Sequence, residues 1–321
     1  MIKAPKHIFL DVSIECNLRC VQCDIWTLKN PVNSLTLEER IKVLNETKLW
    51  DEQPKVVLTG GELLMRPERL YETAEAAKKL GVYITISSNG TLVRPNDLIR
   101  LPGSGISCIV FSIDSHKEQV HDTIRGVDGT YKKVINSVKV ANKIKNGTGL
   151  SVLTSTILGE HNLDEIEQLV DFLESIGAET TIFQPIQPIF ARQLENNWHM
   201  GKLFPVDFKK IDRGIDTLLK LKQEGRRIYQ TEEQFEDMRY YFKNPLKVRE
   251  GQCASYYSSM MIDITGQVRL CFNMERIGLK PIGNIRKSTL QEMWTGVEAE
   301  NARQVMKQCT EGCASMVCHA R

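Results

Sequence analysis

No apolar run in the 321-residue sequence approaches the roughly eighteen residues that a membrane span requires. An excess of one charge is missing as well. The chain has 42 basic and 40 acidic side chains and a net charge of +2, which supports neither a nucleic-acid partner nor an anionic membrane surface. Met1 to Lys6 lead directly into an apolar stretch, so no secretory signal is expected. Short repeats and low-complexity tracts are absent too. What remains is an ordinary globular composition, 41% hydrophobic and 26% charged, long enough for one large core or a barrel with a small appended domain.

Cysteine, by contrast, is plentiful. Nine is an odd number and a high one, and most of the nine fall in two groups. In the reducing cytoplasm, the expected location, such clustered thiols read as metal ligands rather than disulfides. Oxygen sensitivity is expected to follow. The first group, Cys16, Cys20 and Cys23, comes directly after the apolar run Ile8-Phe9-Leu10-Asp11-Val12, which reads as a strand. Three thiolates at the mouth of a strand suit three corners of a cubane iron–sulfur cluster, leaving one iron open. Zinc is the competing metal, because CxxC pairs also serve it.

Along the chain, strands are expected at 55–59, 82–87, 106–112, 150–156 and 180–184, and helices at 67–80 and 131–145. Gly81 closes the first of these helices; Asn162 with Glu165 reads as a capping box, and Gly177 ends the helix it opens. Six strands alternating with helices predict a parallel α/β sheet, closed or nearly so, with its site where the C-terminal strand ends converge. Those ends are all polar or small: Thr59-Gly60-Gly61-Glu62, Ser87-Ser88-Asn89-Gly90, Ser112-Ile113-Asp114-Ser115, Thr154-Ser155-Thr156 and Gln184-Pro185. Turn chemistry accounts for Gly60, Asn89 and Gly90 singly, but not for every strand ending this way.

The CxxxCxxC loop after strand one resembles the cluster loop of radical S-adenosylmethionine (SAM) enzymes. The resemblance covers about residues 8–185 and implies a partial TIM-like (β/α)6 barrel. It further implies that a [4Fe–4S] cluster on Cys16, Cys20 and Cys23 chelates SAM, and that reductive cleavage yields a 5′-deoxyadenosyl radical that abstracts hydrogen from a substrate. Gly60-Gly61-Glu62 matches the family's GGE turn, which holds the SAM amino group through backbone oxygen and carboxylate, with glycine allowing close backbone approach. Leu63 stands where proline is usual, and Gln22 where an aromatic residue is common, with Trp26 expected to supply apolar surface beside the adenine. Ser87, Asn89, Ser112 and Asp114 fall among the expected cofactor-binding positions, and Arg125 is expected to meet the SAM carboxylate or to lie in solvent. A non-catalytic iron–sulfur or zinc sensor would need neither the GGE turn nor the Ser112 and Asp114 pair.

Residues 186–250 read as linker and substrate lid, with helices near 205–224 and 231–243, and with Trp198 and His199 as ordinary surface. In residues 251–321, Cys253, Cys271, Cys309, Cys313 and Cys318 accompany a hairpin signal at Thr265-Gly266. Their spacing, with Gly283-Asn284-Ile285 and a helix near 297–308, resembles a SPASM or twitch domain. That resemblance implies a small C-terminal α+β domain and one auxiliary [4Fe–4S] cluster, again with zinc as the competing metal. Cys108 is expected in the core. The family reading implies a small-molecule or peptide substrate, a net oxidation or peptide modification in a biosynthetic pathway, and an electron donor such as flavodoxin or ferredoxin. The early first strand leaves no expected leader-peptide module, which favours a small molecule or a peptide brought by another protein.

Overall fold

Apolar residues at every second position build the sheet. In the computed structural model, which describes residues 3–187, 201–247 and 253–313, strand β5 (Ser151–Leu158) alternates strictly. Val152, Thr154, Thr156 and Leu158 are buried, while Ser151, Leu153, Ser155 and Ile157 are partly open. The same alternation runs through β3 (Ile84–Ser88), β6 (Thr181–Pro185) and the first part of β2 (Lys55–Gly60), whereas β1 (His7–Ser13) and β4 (Ile106–Ser112) bury runs of three consecutive residues. These six pair in parallel and in sequence order, which is the partial barrel expected. One face, with Ile8, Leu10, Leu58, Ile84, Ile109 and Phe111, packs under helices in a continuous core. The other face is the inner wall.

Helix boundaries follow local chemistry. Pro67–Leu80 begins with its proline in the first turn and ends at Gly81, whose φ of 70° favours glycine. Side-chain capping boxes form at Thr36 with Glu39, Thr231 with Gln234, and Thr289 with Glu292. The one expected at Asn162 does not form. Its Oδ1 accepts from Gly159 N at 3.1 Å, and its Nδ2 donates to the carbonyls of Asp114 at 3.0 Å and Ile157 at 2.8 Å. The Asn162 side chain thus ties two strand ends, and the helix starts later, at Ile166–Ser175.

Two further features concern the chain after β6. Within the described residues 201–247, the helices Phe208–Gln223 and Glu232–Lys243 bury Ile211, Ile215, Leu218, Phe235, Met238 and Phe242 in the main core. They flank the sheet beside β6: Thr181 N donates to Arg227 O at 2.8 Å and Tyr229 N to Thr181 O at 3.0 Å. These described helices pack beside the sheet; Trp198 and His199, in the stretch 188–200, lie outside the described residues. The C-terminal hairpin, β7 (Ser259–Ile262) and β8 (Gln267–Arg269), forms at Thr265-Gly266 as expected, and β9 (Gly283–Asn284) pairs with β8. β7 also pairs in parallel with β1, so these strands extend the barrel sheet to nine strands. The physical reason is that β1 would otherwise leave its backbone unpaired on that edge. Trp294 closes the junction: it is fully buried, and its Nε1 donates to Lys3 O at 2.9 Å.

Candidate functional site

The loop carrying Cys16, Cys20 and Cys23 is held by three neighbours. The turn after β2 is the first: Gly61 N donates to Ser13 O and Glu62 N to Glu15 O, both at 2.9 Å. A Cβ at Gly60, whose φ is +136°, would lie 1.8 Å from Ser13 O, and one at Gly61 2.3 Å from Glu15 O. Close backbone approach does explain both glycines, but the backbone approached is that of the cysteine loop.

Glu62 carries this contact inward. It is fully buried, and its carboxylate accepts from Leu64 N at 3.1 Å, Ser88 Oγ at 3.1 Å and Asn89 N at 2.8 Å. Burial raises its pKa, while these donors favour the ionised form. The carboxylate expected to face an ammonium is thus turned into the protein, binding the ends of β2 and β3 together. Ser88, one residue beyond the expected Ser87, makes the bond; Ser87 lies on the partly open inner face.

The turn after β3 is the second neighbour. Asn89 Nδ2 donates to Asn17 Oδ1 at 3.0 Å, and Asn17 Nδ2 to Thr91 Oγ1 at 2.8 Å. Asn17 was not anticipated, although its position between two of the cysteines was the available clue.

A short helix unanticipated from the sequence, Glu118–Arg125, is the third neighbour. The carbonyls of Ile124 and Arg125 accept from Val21 N at 2.9 Å and Arg19 N at 3.2 Å. Arg125 is 8% exposed; its Nη2 lies 2.8 Å from Asp114 Oδ2 and its Nη1 4.0 Å from Cys20 Sγ. Asp114 is fully buried and accepts from Ile157 N at 3.0 Å. The Arg125 guanidinium is therefore not in solvent: it lies between a buried acid and a cysteine, and its buried Nε has no hydrogen-bond partner among the described residues.

The three thiols share one electrostatic neighbourhood. Burial foremost pushes Cys16 up to about 11 and Cys23 up to about 12, and each is raised further by the neighbouring cysteines. Burial also raises Cys20, opposed first by Arg125. Grouped thiols that stay protonated at neutral pH in this setting fit a centre whose positive charge displaces their protons. Gln22 has a buried Oε1 without a hydrogen-bond partner, and Trp26 is 40% exposed.

Below the loop the inner wall carries small hydroxyl groups. Ser112 and Ser155 are paired in register, and Thr59, Thr85, Ser87 and Ser151 lie on the same partly open face. Val57, Val110, Leu153 and Ile157 share this face with them. Cys108 belongs to this wall, paired with Thr85 and Ser151, and not to the helix-covered core expected for it.

The second cysteine group is assembled from separate segments. Ser255 Oγ donates to Leu270 O at 2.5 Å, tying the chain after Cys253 to the residue before Cys271. Asn273 N donates to Cys271 Sγ at 3.2 Å and Asn273 Nδ2 to Cys313 Sγ at 3.6 Å, so Asn273 links two of the thiols. Cys313 Sγ also lies 3.4 Å from Gln187 Oε1. Cys309 follows the helix Val297–Lys307, its thiol pKa raised by burial; Cys318 lies outside the described residues. Phe272, next to Cys271, packs edge-on against Phe9 of β1 at 5.1 Å, so this group borders the inner wall.

The structure thus presents a parallel partial barrel with a three-cysteine loop at its mouth and a second cysteine group beside it. Residues 11–173 match the Radical SAM superfamily, and residues 253–319 match SPASM, an iron-sulfur cluster-binding domain. The chain belongs to the radical SAM superfamily: it is an enzyme whose cofactors are SAM and [4Fe–4S] clusters. It is 25% identical over 310 residues to an AdoMet-dependent heme synthase of Methanosarcina barkeri, covering 93% of this chain and 84% of that protein. It is 22% identical over 312 residues to the tungsten-containing aldehyde ferredoxin oxidoreductase cofactor-modifying protein of Pyrococcus furiosus, covering 90% and 81%. Among solved structures, Streptococcus suis SuiB bound to the precursor peptide SuiA superposes with a TM-score of 0.72 at 15% identity, over 98% of this chain and 76% of that one. Among the described residues no helix is long and apolar enough to cross a membrane.

Proposed function

We propose that Cys16, Cys20 and Cys23 hold the SAM-binding [4Fe–4S] cluster, and that Cys253, Cys271, Cys309, Cys313 and Cys318 supply the ligands of one auxiliary cluster. Bound there, SAM supplies on one-electron reduction the 5′-deoxyadenosyl radical that removes a hydrogen atom from substrate. The observation that carries the reading is the bracketing of one three-thiol loop by the β2 turn, the β3 turn and the Glu118–Arg125 helix. The backbone of Gly60 and Gly61 faces SAM's amino group in this reading, with Glu62 holding that turn in shape rather than contacting the ligand. Ser87, Ser112 and the Asn89 turn line the approach from the inner wall. Such a wall, rich in hydroxyl groups, suits a polar small molecule or a peptide side chain, held away from water that would admit quenching reactions.

The auxiliary site borders the same wall, so it suits acceptance of an electron during net two-electron oxidation of the substrate. A cytoplasmic flavodoxin or ferredoxin would supply the reducing electron. The test is anaerobic reconstitution followed by a strong reductant. Release of 5′-deoxyadenosine and methionine is expected, and undiminished release by a protein lacking Cys16, Cys20 and Cys23 would overturn the assignment.

A further inference from the structure

Arg125 is fixed against the cysteine loop at two points. Its backbone carbonyl accepts from Arg19 N at 3.2 Å, which fixes the residue against the cysteine loop. Its side chain is fixed a second time, with Nη2 2.8 Å from Asp114 Oδ2 and Nη1 4.0 Å from Cys20 Sγ. Asp114 cannot swing away, because it is fully buried and its other oxygen accepts from Ile157 N at 3.0 Å. The pair is thus an oriented dipole out of water, with its positive end toward the sulfur.

We propose that Arg125 is a fixed cation that raises the reduction potential of the cluster held at Cys20, with Asp114 as the counter-charge that limits the effect. This rests on the reading that Cys16, Cys20 and Cys23 hold that cluster. Reduction adds one electron to the cluster and its sulfurs, and a nearby positive charge stabilises the more negative state. Charge and hydrogen bonding at the sulfurs are among the terms that set iron–sulfur potentials, and little intervening water leaves the interaction weakly screened.

The experiment is an EPR-monitored redox titration of the anaerobically reconstituted full chain, with and without SAM. The signal that changes on SAM addition marks the cluster in question. Arg125→Gln is expected to lower the reduced-to-oxidised ratio of that signal about tenfold at fixed potential, a shift of about 59 mV for a one-electron couple. Asp114→Asn is expected to shift it the opposite way, and Arg125→Lys to stay near wild type. A residue that only braces the loop would reduce iron content without this opposed pair of shifts. An unchanged potential in an iron-replete Arg125→Gln protein overturns the proposal, as do Arg125 and Asp114 variants that shift in the same direction. Should Arg125→Gln fail to load iron, Asp114→Asn and Arg125→Lys decide by the same criteria. A wild type with no SAM-responsive signal overturns instead the cluster reading on which the proposal stands.

Discussion

Cys16, Cys20 and Cys23 are held by one loop, whereas Cys253, Cys271 and the Cys309–Cys313 pair come from three separate segments. The first loop is fixed by protein alone: backbone bonds from the β2 turn, the Asn17–Asn89 contact, and the carbonyls of Ile124 and Arg125. In the second group, among the described residues, Ser255 bonds Leu270, Asn273 lies between Cys271 and Cys313, and Cys313 meets Gln187. In the proposed reading, the first cluster would meet a loop already braced by local contacts, and the second would join segments distant in sequence. Binding free energy becomes folding free energy to the extent that the site is absent without metal.

That contrast has a direct consequence for iron. Replacing Cys16, Cys20 and Cys23 by alanine should abolish SAM cleavage entirely while leaving about half of the iron, with circular dichroism nearly unchanged. Loss of all iron would show that the two groups are not independent. Cys271→Ala should behave in the converse way. SAM cleavage is expected to persist and product formation to vanish, with a lower melting temperature than the triple variant. A folded Cys271→Ala protein that makes product at the wild-type rate would reduce the second site to a structural clip. If the triple variant melts lower than Cys271→Ala, the contrast between the sites is the wrong way round.

Glu62 sharpens the comparison from inside the first site. Glu62→Ala leaves Ser88 Oγ and the N–H groups of Leu64 and Asn89 without their buried acceptor. Orphaned buried donors cost about 1–3 kcal/mol each before relaxation, so a loss of about 3 kcal/mol is expected in urea unfolding. The Cys16 loop should lose its shape with it, and iron should fall at that site and not at the other. Retained SAM cleavage at wild-type rate, with normal stability, would remove the bracketing role given to this carboxylate.

How far these features could be read in advance depended on how local they were. Strands β1 to β6 are legible within a residue or two because a short apolar run bounded by turn residues is a property of consecutive residues, and so is the cysteine loop. The Asn162 cap was misread because the same side chain that caps a helix can instead reach the Asp114 and Ile157 carbonyls, and only the fold brings those near. The sequence places Cys108 in the core because β4 is apolar on both faces for several residues. A register shift near the start of its pairing with β3 decides which face it takes. That β7 would complete the free edge of β1, and that Arg125 would reach Cys20, are contacts spanning much of the chain; no local pattern announces them.

The smallest expected effect concerns His121, which lies behind the first site and is 1% exposed. Its Nδ1 accepts from Asp114 N at 3.3 Å, and burial first, then the Arg125 charge, lowers its pKa from 6.5 to about 4. The folded state therefore disfavours the protonated ring. The contribution to stability is complete above 6.5 and is lost as pH falls from there toward 4. Between pH 7 and 5.5 this linkage is worth about 1 kcal/mol. Asp11, whose pKa is raised to about 7 by burial and by Asp263, acts in the opposite sense, losing its contribution as pH rises through that value. The wild-type slope alone would therefore mislead, and the comparison has to be between proteins. His121→Gln keeps an acceptor for Asp114 N but has nothing to titrate. Urea unfolding of both proteins at pH 7 and pH 5.5 should show the wild type losing about 1 kcal/mol more than the variant. Equal losses would mean that His121 titrates as it does in the unfolded chain, and that the Asp114–Arg125 layer behind the loop is wetter than its burial implies.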